Sequence, residues 1–226
     1  MVYVTGDCHG NFGHLGALRL LGTEDVVILL GDVGVNYDLG KRDKGAKVSL
    51  NRLGPTFLCV HGNHEERPEN ILGYEIVEND MGSFYQDARY PNILFCMDGN
   101  VYTIEGRTFL VLGGAYSVDK PWRVANRWHW FESEQMDDAT KTRIRERWFG
   151  TKVDVIVSHT CPYRYMPREA FMQGLDQNTV DNSMERFLDE CEQNIAYGAW
   201  FCGHWHLYKR IDKLTFLYQD IVGIHN

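Results

Sequence analysis

Val26-Val27-Ile28-Leu29-Leu30-Gly31-Asp32 is the stretch whose reading decides the fold. Five apolar residues, three of them β-branched, end abruptly in Gly-Asp, which is the pattern of a strand buried on both faces with a carboxylate at its C-terminal tip. In open α/β sheets, ligand chemistry collects at such tips. The pattern returns four times. Met1 to Thr5 precede Gly6-Asp7-Cys8-His9-Gly10, and Phe57 to Val60 precede Gly62-Asn63-His64-Glu65. Val153 to Val157 precede Ser158-His159, and Ala199 to Cys202 precede Gly203-His204-Trp205-His206. Asp32 reads as the hub of a metal site.

The connections between these strands set the topology. Asn11 is placed to cap a short helix carrying Leu15, Leu18 and Leu21, and Lys41 to Leu53 reads as a second helix stopped by Gly54-Pro55. Strand, helix, strand is a parallel crossover, repeated. Glu66 to Pro91 has no regular pattern, whereas Ile93 to Met97, Val101 to Glu105 and Thr108 to Leu112 read as an antiparallel meander, a candidate second sheet. Tyr116 to Phe131 is aperiodic and aromatic, with Trp122, Trp128 and Trp130 beside Lys120, Arg123 and Arg127. Ser133 is the expected N-cap of a helix reaching Trp148, and a loop from Cys161 to Gln177 carries Arg164 and Arg168. Val180, Met184, Phe187, Leu188, Cys191 and Ile195 lie on one face of a further helix, and Tyr208 to Tyr218 close the chain as a hairpin.

A chain of 226 residues with 44% hydrophobic content can bury one sizeable core, so residues 1–226 are expected to form a single domain. The longest apolar run is far shorter than the roughly 20 residues a membrane span needs, and no leader pattern precedes the first strand, which predicts a soluble, cytoplasmic protein. Six scattered cysteines without a Cys-x-x-Cys pair read as small buried thiols. A net charge of -8 argues against a general hold on nucleic acid, but not against a small phosphorylated substrate met through bound cations.

Asp7-x-His9 on an extended backbone points both side chains the same way, so the pair can grip one ion. His204-x-His206 has the same spacing, yet a loop would equally let its imidazoles diverge toward two neighbouring ions. With Asp32, Asn63 and His159 there are seven candidate ligands, too many for one cation. Two metals sharing a carboxylate fit better, at the separation of about 3.5 to 4 Å used in phosphoryl displacement. Mixed oxygen and imidazole donors without thiolate suit manganese first, then iron, zinc or cobalt.

Taken together, the five blocks resemble those of the calcineurin-like metallophosphoesterases: D-x-H, G-D, G-N-H-[DE], H and G-H-x-H occur here as Asp7-Cys8-His9, Gly31-Asp32, Gly62-Asn63-His64-Glu65, His159 and Gly203-His204-Trp205-His206. The resemblance runs from residue 6 to residue 206 and implies two mixed β-sheets packed as a sandwich and flanked by helices, a four-layer αββα arrangement. It implies Asp7, His9 and His206 on one metal, Asn63, His159 and His204 on the other, and Asp32 between them. The implied reaction is in-line attack on a phosphoester by a hydroxide held between the metals, with His64 acting on the leaving oxygen. Glu65 is either an acceptor for an imidazole N–H or the exposed start of a helix.

The departures are informative too. The phosphoprotein phosphatase branch of the family continues its second block G-D-x-V-D-R-G and opens its third R-G-N-H-E. Asn36 and His61 stand where those arginines would clamp phosphate, which weighs against a serine/threonine phosphatase. Arg67, Lys120, Arg123, Arg127, Arg164 or Arg168 are the candidate replacements. His14, His129 and His225 fit no block. The tryptophans of the aromatic loop offer either a stacking surface for a planar substrate such as a nucleotide or a small satellite core, the second being preferred. A phosphatase or phosphodiesterase is the leading expectation. A catalytically silent scaffold of the same fold and a nuclease are the alternatives, the first opposed by the complete ligand set and the second by the acidic composition.

Overall fold

The computed structural model describes residues 1–224 of the chain. The first half builds one sheet. Its strands are β1 (Val2–Thr5), β2 (Val26–Leu29), β3 (Thr56–Cys59), β4 (Glu75–Asn79), β5 (Gly82–Gln86) and β6 (Ile93–Cys96). The second half builds another from β7 (Val101–Ile104), β8 (Arg107–Leu112), β9 (Val155–Ser158), β10 (Ala199–Cys202), β11 (Lys209–Ile211) and β12 (Leu214–Phe216). A last strand, β13 (Val222–Ile224), returns to the first sheet and pairs antiparallel with β1. The sheet orders are β13-β1-β2-β3-β6-β5-β4 and β11-β12-β10-β9-β8-β7.

Strand β2 shows why the sandwich forms. Val26, Ile28 and Leu30 face the core between the two sheets, where they meet Val111, Val157 and Phe201 of the second sheet. Val27 and Leu29 point the other way, onto Leu15, Leu18 and Leu50 of the outer helical layer. A run apolar at every position has both faces covered, as expected for a central parallel strand. The opposite outer layer is α3 (Asp138–Trp148) and α4 (Ser183–Asn194), whose Ile144, Met184, Phe187, Leu188 and Cys191 pack on Leu110, Ile156 and Trp200. Two mixed sheets between helical layers give an α/β sandwich.

Several local expectations are corrected. The segment after β1 is a 3-10 helix, Gly13–Leu20, without a side-chain cap; Asn11 accepts the Gly13 amide instead. Two glycines in eight residues are poor support for a full α-helix. The next helix, α1, is Lys41–Asn51. The irregular span before Pro91 holds the β4–β5 hairpin, hidden because β4 is a largely exposed edge strand with no apolar alternation. The meander is divided between the sheets: β6 pairs parallel with β3 in the first, while β7 and β8 form a hairpin in the second. Ser133 lies in a 3-10 turn with its hydroxyl on Glu66, and Asp137 caps α3 by accepting the Thr140 amide at 2.7 Å. The aromatic loop includes a short helix, α2 (Lys120–Ala125). All six cysteines are free and buried. Among the described residues no helix is long and apolar enough to cross a membrane.

Candidate metal centre

Strands β1, β2 and β3 run parallel with Thr5, Leu29 and Cys59 in register at their C-terminal ends, and β9 and β10 do the same with Ser158 and Cys202. Packing the sheets brings these two rows of tips together. Just beyond them the chain turns sharply, and His9, Asp32, His204 and His206 sit at φ of 47°, 47°, 66° and 51°. Non-glycine residues in this left-handed region each cost on the order of 1 kcal/mol or more, and such strain concentrates at functional sites. Two of the motif glycines are required by close approach. A Cβ at Gly31 would lie 2.3 Å from His159 Nδ1, and one at Gly203 would lie 2.3 Å from Asp7 Oδ1.

The eight candidate side chains converge. His206 Nε2 lies 3.1 Å from Asp7 Oδ2 and 3.1 Å from His9 Nε2. Asn63 Oδ1 lies 2.8 Å from His159 Nε2 and 3.1 Å from His204 Nδ1. Asp32 stands between the groups, with Oδ1 3.6 Å from His159 Nε2 and Oδ2 3.8 Å from His9 Nε2. His64 Nε2 is 3.9 Å from Asp32 Oδ2, at the edge of the cluster. Asp7, Asp32, Asn63 and His159 are buried, whereas His9 and His206 open to solvent.

Backbone groups aim these side chains. His159 Nδ1 donates to the Leu30 carbonyl at 2.6 Å, so its Nε2 presents a lone pair to the centre. Asn63 donates its amide to Ser117 Oγ at 2.9 Å and turns its carbonyl oxygen to that same lone pair. Two acceptors facing each other at 2.8 Å repel unless a cation lies with them, and the oxygen and imidazole donor set suits a divalent ion. Donor atoms of Asp7, His9 and His206 lie within 4.8 Å of one another, as do those of Asp7, Asp32 and His159, so both groups could hold a metal.

The electrostatics favour cation binding at Asp32 and His204, whereas at His206 a cation must displace a proton. Burial opposes ionisation of Asp32, yet the imidazoles of His159, His64 and His9 and the His64 amide at 2.8 Å outweigh it and hold its carboxyl well below the usual range. Burial pushes the His204 imidazole far down and keeps it neutral, as a ligand must be. The hydrogen bond to Asp7 raises His206.

A family model of the calcineurin-like phosphoesterases matches residues 1–208. The chain belongs to the calcineurin-like phosphoesterase family. Membership makes it a metal-dependent phosphoesterase in general terms. The crystal structure of phosphopantetheinyl hydrolase PptH from Mycobacterium tuberculosis is similar over 96% of this chain and 87% of that one, at 17% identity and a TM-score of 0.44. No match was found among curated proteins.

For a calcineurin-like phosphoesterase, the remaining sequence candidates divide clearly. Glu65 is neither an imidazole acceptor nor the start of a helix: it is buried, accepts the Gly62 amide at 3.0 Å and braces the turn that carries Asn63. Burial raises its carboxyl to about 8. Asn36 accepts from Tyr74, and His61 contacts the Ser133 carbonyl. Arg67 is tied to Asp98, Arg164 to Asp189 and Glu192, and Lys120 lies over Trp130. Arg127 and Arg168 are exposed. Arg123 alone among the candidate cations lines a cavity at the centre, beside His9 and His64. Trp122 and Trp128 pack edge to face, half exposed, and line neither cavity at the centre, so they form neither a satellite core nor a stacking wall there. Tyr116, Val118 and Asp119, from the start of the same loop, do face the centre.

His14 lies beside Cys8 and His129 beside Tyr37, both apart from the ligand cluster, and His225 lies outside the described residues. Sequence reasoning missed Ser117, which orients Asn63, and the acidic pair Asp181 and Glu185 that lines the cavity. Serine after Tyr116 in an aperiodic loop carries no signal, and only the fold places it beside Asn63.

Proposed function

We propose that the protein hydrolyses a small phosphoester at a centre of two divalent cations, with Asp32 shared between them. The observation that carries this reading is the position of Asp32, whose Oδ1 faces His159 while Oδ2 faces His9 and His64. Asp7, His9 and His206 would hold one cation, and Asn63, His159 and His204 the other. Manganese is the expected metal, with iron, zinc or cobalt as alternatives. Bound cations supply charge neutralisation at the phosphate and a nucleophile at neutral pH.

The protein's own part is geometric and acid–base. Buried Asp7 and Asp32, anchored by the His204 and His64 amides at 2.8 Å, hold the site's shape before substrate arrives. His64 has no first-choice ligand position, and its Nε2 stands at the mouth of the cluster, where it donates a proton to the departing oxygen. Burial lowers its imidazole despite nearby Asp32. The test is metal content by mass spectrometry together with hydrolysis of p-nitrophenyl phosphate. Close to two metals per chain, with activity lost to chelator and restored by manganese, is the expected result. Chelator-insensitive hydrolysis by a metal-free protein would overturn it.

A further inference from the structure

Two cavities of opposite chemistry meet at the metal centre. One, of 380 Å³, opens from Asp32, Asn63 and His204 and is walled by Met166, Phe171, Leu175, Val180 and Trp205. Phe171 and Trp205 stack at 5.8 Å with 23° between their planes, giving it a flat apolar wall. No lysine or arginine lines this cavity, and its acidic side chains beyond Asp32 are Asp119, Asp181 and Glu185. The other cavity, of 260 Å³, is lined by His9, Tyr37, Arg42 and Arg123 with Asp38 and Asp43. His64 lines both.

A phosphoryl group at the centre would therefore have distinct room on two sides. A monoester has one substituent and fills one cavity; a diester has two and fills both. The first cavity, largely apolar and with no lysine or arginine in its lining, offers a negatively charged arm no partner and rewards an apolar or aromatic one. In the second, the charges nearly balance. Asp43 spends its oxygens on the Asp38 and Leu39 amides, and Arg123 spends Nε on Asp119, which leaves Arg42 and Asp38, beside the Tyr37 ring, to meet a ligand. That suits a polar, hydrogen-bonding arm.

Resting on the proposed phosphoesterase reading, we propose that the substrate is a phosphodiester with an uncharged, apolar or aromatic arm in the Phe171–Trp205 cavity and a polar arm in the Tyr37–Arg42–Arg123 cavity. Hydrolysis adds one water across a P–O bond: oxygen joins phosphorus, the proton goes to the departing oxygen, and the products are an alcohol and a phosphomonoester. A polynucleotide is disfavoured, because its neighbouring phosphate would enter a cavity with an apolar wall, the Asp181 carboxylate and no lysine or arginine to meet it.

The test compares kcat/KM of the manganese-loaded protein for thymidine 5′-(p-nitrophenyl phosphate), which has one polar and one aromatic arm, with that for p-nitrophenyl phosphate. The diester is expected to win by more than about tenfold; Arg42→Ala is expected to lower the diester-to-monoester ratio by about tenfold, and Phe171→Ala to lower kcat/KM of both aryl esters by about tenfold. Calorimetric binding of a non-hydrolysable phosphonate analogue of the diester should weaken in the same two variants. Preference for the monoester, an unchanged ratio in Arg42→Ala, undiminished turnover of both esters in Phe171→Ala, or faster cleavage of an oligonucleotide overturns the inference. Failure to turn over either ester when metal is bound would instead sink the proposed phosphoesterase function.

Discussion

The two sheets contribute differently to the centre. The tips of the first deliver oxygen donors, Asp7, Asp32 and Asn63, with His9 alongside; the tips of the second deliver only imidazoles, His159, His204 and His206. Each sheet also aims the other's ligands. The His204 amide of the second sheet holds Asp7 of the first, and the Leu30 carbonyl of the first holds His159 of the second. Neither sheet alone carries all the candidate ligands, so the core between them, built from residues such as Ile28, Leu58, Val157 and Phe201, is also what brings the candidates together.

The predictions probe this division of labour. The largest effect belongs to the first sheet. Asp32→Asn is expected to lower kcat/KM by about 10³-fold or more, beyond the loss of one preorganised donor, because Asp32 faces both ligand groups. Bound metal should fall in parallel, and mass spectrometry with steady-state kinetics checks both. If Asp32→Asn keeps two metals and near-normal rates, the shared-carboxylate picture is broken.

His64 and His206 separate proton transfer from ligation. His64→Ala should lower kcat by about 10²-fold with metal content retained, whereas His206→Ala should lose metal first. Equal metal loss in the two variants would make His64 a ligand and redraw the first sheet's share of the site.

A third prediction contrasts two buried carboxyl groups. Asp32, among imidazoles, is held ionised; Glu185 on α4, under the second sheet, is raised by burial to about 7 although the Thr160 hydroxyl donates to it at 2.9 Å. Glu185 binds its proton more tightly folded than unfolded, so its contribution to stability is complete below its ordinary 4.5 and is lost as pH rises toward about 7. The change is about 3 kcal/mol across that window. Glu185→Gln should flatten this part of the pH–stability curve in urea melts, and an unaltered slope would show that Glu185 is ionised in the folded protein.

The smallest effect tests the orientation of Asn63. Ser117→Ala removes the partner of its amide and should weaken binding at the Asn63–His159–His204 position by about 10- to 100-fold while sparing the Asp7–His9–His206 position. Metal titration followed by calorimetry distinguishes one weakened site from two.

The sequence by itself determined the parallel strands, the five blocks of candidate ligands at their tips and the family. Central strands must be apolar on both faces, and ligands at strand ends stand next to those runs in the chain, so the evidence is local. The β4–β5 hairpin escaped because an exposed edge strand need not alternate, and the split between β6 and β7 escaped because strand spacing does not say which sheet a strand joins. Only the tertiary structure decided that Ser117, Glu185 and Phe171 reach the centre, that Arg123 is the candidate arginine beside His64 and that Arg67 is tied to Asp98 instead. Those placements depend on contacts between residues far apart in sequence, on loops whose paths are set by what they pack against.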